Sequence, residues 1–286
     1  MSIGDKLTFH LAHLRKQPHP LRYLVALLLS KMGMAGIFSY RRNGASIKMR
    51  SGGLARLLWT EPEMQLDGEV FLSRFLKKGN VVVDVGANIG ILSLLASNAV
   101  GAAGKVVAIE AHPETFRALE DNLQLNGVEN VTAVHSAVGA DAGVIQFSDR
   151  MDDDWNKVEQ GPASISVEMQ KLDVVCKTLE SIDVLKIDVE GYELPVLRGA
   201  GETLRRTNCV LLECWGGHTE GFGYRPQDLF EFMAQNDFCG YALREENNQI
   251  ALDGISDGTH GQSLENFVFV RDSRTLSAFG VDLAHR

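Results

Sequence analysis

From about Asn80 onward, short apolar runs alternate with stretches in which apolar residues recur every three or four positions. The runs read as strands covered on both faces and the stretches between them as helices, which is the pattern of a mainly parallel sheet. The first strand is VVVDVG at 81–86, the second KVVAIE at 105–110 and the third VTAVH at 131–135. IGILSLLASNAVG, between the first two, has helical spacing. HPETFRALEDNLQLNG, after the second, puts Pro113 in a first turn and Gly127 beyond a helix end. The alternation resumes with VLKID at 184–188, a helix near 192–205, VLLE at 210–213 and a helix near 226–236. Phe238–Leu243 and Phe267–Val270 flank a polar loop without helical period and are expected to form an antiparallel hairpin at the sheet edge. The pattern thus predicts an α/β fold whose seven-stranded, mostly parallel sheet ends in an antiparallel C-terminal edge strand, with helices on both faces. Val144–Ser148 and Ser164–Met169 flank the polar loop MDDDWN, an insertion suited to serve as a lid.

Residues 1–78 read differently, with Arg15, Lys16, Arg22, Arg41 and Arg42 among them, and are expected to form a helical and β extension covering one side of a 79–286 domain. Their run YLVALLLSKMGMAGIF is broken by Lys31 and two glycines and falls short of the ~20 residues a membrane span needs. It reads as a packing helix, with contact to a membrane surface left open. At 286 residues the chain has room for one large domain or two small ones. Its net charge of −9 disfavours a duplex-wide contact with nucleic acid phosphates. Four cysteines without a CxxC pair, and no signal peptide, point to a cytoplasmic chain without a disulfide framework or structural zinc.

Ligands of open α/β sheets sit outside the carboxyl ends of the strands. There the first strand ends in Asp84-Val85-Gly86-Ala87-Asn88-Ile89-Gly90, where glycines let backbone approach a ligand and the next helix offers free N–H groups. Glu110 ends the second strand about twenty residues past Gly90, the place of a carboxylate that accepts from ribose hydroxyls. The loop departs from the dinucleotide spacing G-x-G-x-x-G, and Asp84 would repel a pyrophosphate and attract an ammonium group.

These motifs, with LKIDVEG at 185–191 and NFVFV near the C-terminus, resemble the FkbM type of S-adenosylmethionine-dependent methyltransferases, over about Gly79 to Val270. The resemblance implies a Rossmann-like fold with S-adenosyl-L-methionine as cofactor. Asp84, Gly86, Asn88 and Gly90 would surround the methionine moiety, Glu110 the ribose, and Ser136 and Ala137 the adenine, with His112 and Asp188 completing the cofactor set. Pro195 departs from such proteins by sitting early in the helix after DVEG.

Methyl transfer needs alignment above all, and a hydroxyl acceptor also needs a base within reach of its proton. Asp188 and Glu190, at the end of the fourth strand, are the favoured catalytic pair; Glu213 and His218 follow the fifth and are substrate-side candidates. Each has a plainer role open to it, such as capping, ion pairing or surface exposure. Asp154, Trp155 and Asn156 in the MDDDWN loop could present an aromatic face and an amide to a sugar, while Asp152–Asp154 read as a solvated acidic run rather than a metal site. No Asn/Asp-Pro-Pro-aromatic turn of the kind that holds exocyclic amines follows the fourth strand, so base methylation is disfavoured. The expected reaction is O-methylation of a small molecule, sugar or glycolipid hydroxyl. N-methylation of an amino sugar, an NAD-dependent oxidoreductase and a catalytically silent cofactor-binding module remain as rivals.

Overall fold

A computed structural model describes residues 17–272 together with 14 and 276, apart from 67, 150–156, 159–163, 247–248 and 256–264. Its strands are β1 (Ser39–Arg42), β2 (Ala45–Lys48), β3 (Val81–Val85), β4 (Lys105–Glu110), β5 (Val131–His135), β6 (Ala137–Val138), β7 (Gly143–Ser148), β8 (Ser164–Gln170), β9 (Ile182–Ile187), β10 (Thr207–Cys214), β11 (Cys239–Glu246), β12 (Gln249–Gly254) and β13 (Glu265–Val270). The α-helices used below are α1 (Pro20–Lys31), α2 (Gly53–Thr60), α3 (Glu69–Phe75), α4 (Ile91–Val100), α5 (Pro113–Asn126), α6 (Leu172–Val175), α7 (Glu193–Arg198), α8 (Gly201–Arg205), α9 (Gly216–Thr219) and α10 (Pro226–Gln235).

The main sheet runs β12-β11-β13-β10-β9-β3-β4-β5. The five strands from β10 to β5 are parallel, and β13, β11 and β12 join antiparallel. Period two explains the double covering: Val83, Leu185 and Leu212 point into one apolar core, while Val82, Val184 and Leu211 point into the other. The architecture is the expected Rossmann-like one, but among the described residues the sheet has eight strands rather than seven. β13 lies between β10 and β11 instead of at the edge, and β12 takes the edge. QIALDG escaped notice because Leu252 is its one deeply buried side chain, at 1% exposure, so no clear alternation marks it as a strand.

The helix expected near 192–205 is split into α7 and α8. Its break falls beside Gly199, where a Cβ would lie 2.0 Å from the Gly139 carbonyl oxygen, so close packing on a loop sets the interruption. β7 and β8, the two stretches flanking the MDDDWN loop, pair antiparallel and join β6 in a small side sheet; Asp154, Trp155 and Asn156 between them lie outside the described residues. The β1–β2 hairpin docks on α5, with the Ser46 and Lys48 amides donating to Asn126 and Asn122 at 2.7 and 2.9 Å.

Strand order reverses between β3 and β9, since the chain steps outward through β4 and β5 and then returns to the other side. A crevice at the carboxyl ends of β3 and β9 follows from that topology.

Candidate active site

A cavity of about 650 Å³ opens at this reversal, within the range of small-molecule sites. Its floor is Val85, Gly86, Asn88, Ile109 and Glu110; Ser136, Ala137, Val138, Phe147 and Val158 line one side, and Asp188, Glu190, Tyr192, Glu213, Trp215 and His218 another. Leu54 and Leu57 of α2, with Met64 and Leu66, close it from the N-terminal segment. A smaller chamber of about 140 Å³ continues past Gly86, Asn88, Asp188 and Glu213 to Ile91 at the start of α4. A broader cleft of about 1050 Å³, lined by Arg22, Tyr40, Arg42 and Trp59 among others, lies away from the strand ends and touches none of the sequence-predicted site residues.

The turn after β3 is built on left-handed backbone at Gly86, Asn88 and Gly90, with φ of 75°, 50° and 86°. Gly86 has no room for a side chain, because a Cβ would lie 1.8 Å from the Asp188 carbonyl oxygen. Glu110 holds this turn: its carboxylate accepts from the Asn88 amide at 2.9 Å and the His112 amide at 2.8 Å, and it borders the cavity. Burial pushes Glu110 up to about 7, against the pull of those amides and of Lys186.

Asp84 is placed behind the turn rather than in the cavity lining. It is 2% exposed and accepts from the Ser93 hydroxyl at 2.5 Å, and its other oxygen lies 3.2 Å from the Lys186 ammonium. Lys186 also lies 3.2 Å from Asp188 and donates to the Gly86 carbonyl at 3.1 Å, tying β9 to the β3 turn. Burial alone would lower the Lys186 ammonium, but Asp84 and Asp188 together hold it above its ordinary range. His112 begins α5 with its ring turned from the cavity, 3.3 Å from Asp149. Ser136 is buried and its hydroxyl donates to backbone carbonyls, so its surface rather than its proton faces the cavity.

Glu190 adopts φ of +55°, uncommon for a residue with a side chain, and its carboxylate lies 3.1 Å from His218 Nδ1. The His218 ring packs edge-on to Trp215 at 4.4 Å, and its backbone sits on Gly191. Partial burial, then Lys157, lowers the His218 pKa against the opposing influence of Asp188. The strained turn is held by a residue that sequence reasoning missed. Glu193, 2% exposed, accepts from the Gly191 amide at 2.9 Å, and the Tyr224 hydroxyl lies 2.9 Å away. Burial raises Glu193 to about 7. A first-turn glutamate resembles any solvated helix residue in sequence; only the fold reveals its burial. Lys186 did carry a signal, being the lone cation in an apolar strand. Among the described residues no group of three or more His, Cys, Asp or Glu is placed to hold a metal ion.

A nucleoside-sized cavity at the strand reversal of a Rossmann-like sheet, with an acidic residue ending its second strand, defines the class. Residues 84–243, more than half of the chain, match the methyltransferase FkbM domain, and the chain belongs to that family. It is 30% identical over 183 residues to the methyltransferase sdnD of Sordaria araneosa, covering 51% of this chain and 69% of that protein. It is also 30% identical over 177 residues to the hexuronic acid methyltransferase AglP of Haloferax volcanii, covering 59% and 70%. Among solved structures, the methyltransferase FkbM from Methylobacillus flagellatus superposes with a TM-score of 0.43 at 16% identity, over 68% of this chain and 43% of that one.

Proposed function

We propose that this protein transfers a methyl group from S-adenosylmethionine to a hydroxyl of a sugar-like small molecule, with His218 as the base. The observation that carries the reading is one cavity bounded by the buried Glu110 carboxylate on its floor and by the Glu190–His218 pair on its wall. The residues fit the cofactor. Each Glu110 oxygen has one backbone N–H partner and a further lone pair for a ribose hydroxyl. The apolar side formed by Ile109, Val138, Phe147 and Val158 suits a purine, and the 140 Å³ chamber, lined by the Lys186 ammonium and the start of α4 as well as by Asp188 and Glu213, suits the zwitterionic amino-acid end. When bound, S-adenosylmethionine supplies a methyl carbon made electrophilic by its sulfonium sulfur.

The chain's own residues supply alignment and a proton acceptor. Glu190 accepts a hydrogen bond from the Nδ1–H of His218, which fixes the tautomer with a lone pair on Nε2 for the acceptor's hydroxyl proton. Asp188 carries its counter-charge in Lys186 and is assigned to holding the turn and the cofactor's amino group rather than to accepting the proton. Asp84 acts one step further back, by placing Lys186. Residues 1–78 wall the acceptor side through Leu54, Leu57 and Met64.

The sugar assignment draws on AglP, named for hexuronic acid, and on the mixed polar and aromatic wall of Glu213, Tyr192 and Trp215. An amino sugar is the second reading, favoured by three carboxylates, Asp188, Glu190 and Glu213, bordering one cavity. Methyl transfer from labelled S-adenosylmethionine to neutral sugars, hexuronic acids and amino sugars separates the two. The reading fails if no S-adenosylhomocysteine binding is detected by calorimetry.

A further inference from the structure

The described residues include twelve exposed large apolar side chains, and seven of them fall between Leu21 and Ile37. This clustering does not match the single scattered residues of an ordinary surface. Along α1, Leu21, Leu24, Val25, Leu28 and Met32 recur at three- and four-residue spacing and form one stripe; Leu21 is 79% exposed and, beyond the helix, Ile37 is 80% exposed. The opposite side of α1 is already used. Ala26 is buried with Ala35 and Met49 beside Trp59, and Arg22 stacks on the Trp59 ring at 4.8 Å while donating to its carbonyl. α1 is therefore pinned to the body, and its outward apolar stripe is covered by none of the described residues.

Charge identifies what covers it. Residues 1–60 contain ten Lys or Arg against Asp5 alone, a net +9 in a chain whose total is −9, so the remaining 226 residues carry −18. A second copy docking through this segment would bring two net-positive N-terminal segments together, whereas an anionic bilayer is complementary to them. At twelve residues α1 is about 18 Å long, too short to cross the ~30 Å hydrocarbon core, and no described helix is long and apolar enough to span a membrane. We infer that the 20–37 segment docks flat on the surface of a membrane containing anionic lipid, its apolar stripe in the headgroup boundary and its neighbouring basic residues against lipid phosphates. α1 packs against α2, whose Leu54 and Leu57 line the cavity, so the docked face lies one helix from the site.

The full-length protein is floated with vesicles of phosphatidylcholine alone and with about 30% phosphatidylglycerol, at about 0.1 M and 0.5 M salt. Wild type is expected to partition at least about tenfold more strongly onto the anionic vesicles, and less at the higher salt. Leu21→Ser with Ile37→Ser, and separately Leu24→Ser with Leu28→Ser, alter exposed side chains and should lose about tenfold in partitioning at unchanged melting temperature. The inference is overturned if wild type fails to float with anionic vesicles at low salt, or if both double variants float equally well. It is also overturned if wild type is a dimer that these substitutions turn into a monomer. Affinity for S-adenosylhomocysteine is measured alongside; its loss would count against the methyl-transfer reading alone.

Discussion

Glu110→Gln probes the cofactor reading at the residue on which it rests. The carboxylate is 7% exposed and spends one lone pair of each oxygen on a backbone amide, leaving the others for two ribose hydroxyls. Glutamine keeps one acceptor but turns an NH₂ toward one of those amides, so the variant loses the charge and one ribose hydrogen bond. A hydrogen bond to a charged group is worth about 1.5–3 kcal/mol, which lowers affinity for S-adenosylhomocysteine by about 10- to 150-fold. A pH signature accompanies the loss. Because burial raises Glu110 to about 7, the free protein passes from about nine-tenths ionised at pH 8 to about one-tenth at pH 6. Ribose hydroxyls donate to the ionised form, so wild-type binding should weaken about tenfold over that interval and release close to one proton at pH 6. Calorimetry in buffers of different ionisation enthalpy measures both quantities. Wild-type affinity in the Gln variant at pH 8 would refute the ribose assignment, and a wild-type affinity independent of pH would contradict the raised Glu110 titration.

His218→Asn should cut methyl transfer by about 10²–10⁴-fold while leaving S-adenosylhomocysteine affinity nearly unchanged, and Glu190→Gln should cut it less; equal turnover in the His218 variant removes it as the base. Gly86→Ala drives a Cβ into the Asp188 carbonyl and should cost about 3 kcal/mol or more in urea unfolding, a prediction that fails if the variant melts with wild type. Glu193, raised from 4.5 to about 7, contributes stability that is full below its ordinary pKa and lost as pH rises through about 7, up to about 3 kcal/mol. Glu193→Gln should therefore flatten the fall in unfolding free energy between about pH 5 and 7.5, and an unchanged slope would contradict its burial as an acid.

What was legible in the chain, and what was not, follows from how each residue meets water. Strands such as Val81–Val85 and Ile182–Ile187 are covered on both faces, and nothing but a continuous apolar run satisfies that environment. The close-approach turn at Gly86 and Gly90 was legible because glycine carries no side chain to block it, and both residues are left-handed in the fold. Edge strand β12 was not, since it buries one side chain deeply and its remaining pattern matches a loop. Acidic residues were the hardest to place. Asp84, Glu110 and Glu193 look alike in sequence, yet the first is buried against Lys186, the second borders the cavity and the third locks the Glu190 turn. Which partner each meets depends on strand order and helix packing, long-range facts with no local pattern. His218 likewise sits in a Gly-Gly-His loop that reads as surface, and only the close approach of Gly191 brings its ring to Glu190.

The most direct measurement is a crystal structure of the protein with S-adenosylhomocysteine. Both ribose hydroxyls are expected within hydrogen-bonding distance of the Glu110 carboxylate, with the thioether sulfur directed toward the wall formed by Glu190 and His218. A nucleoside seated in the Arg22–Trp59 cleft, or one bound at the strand ends with Glu110 rotated away from its sugar, would contradict the account.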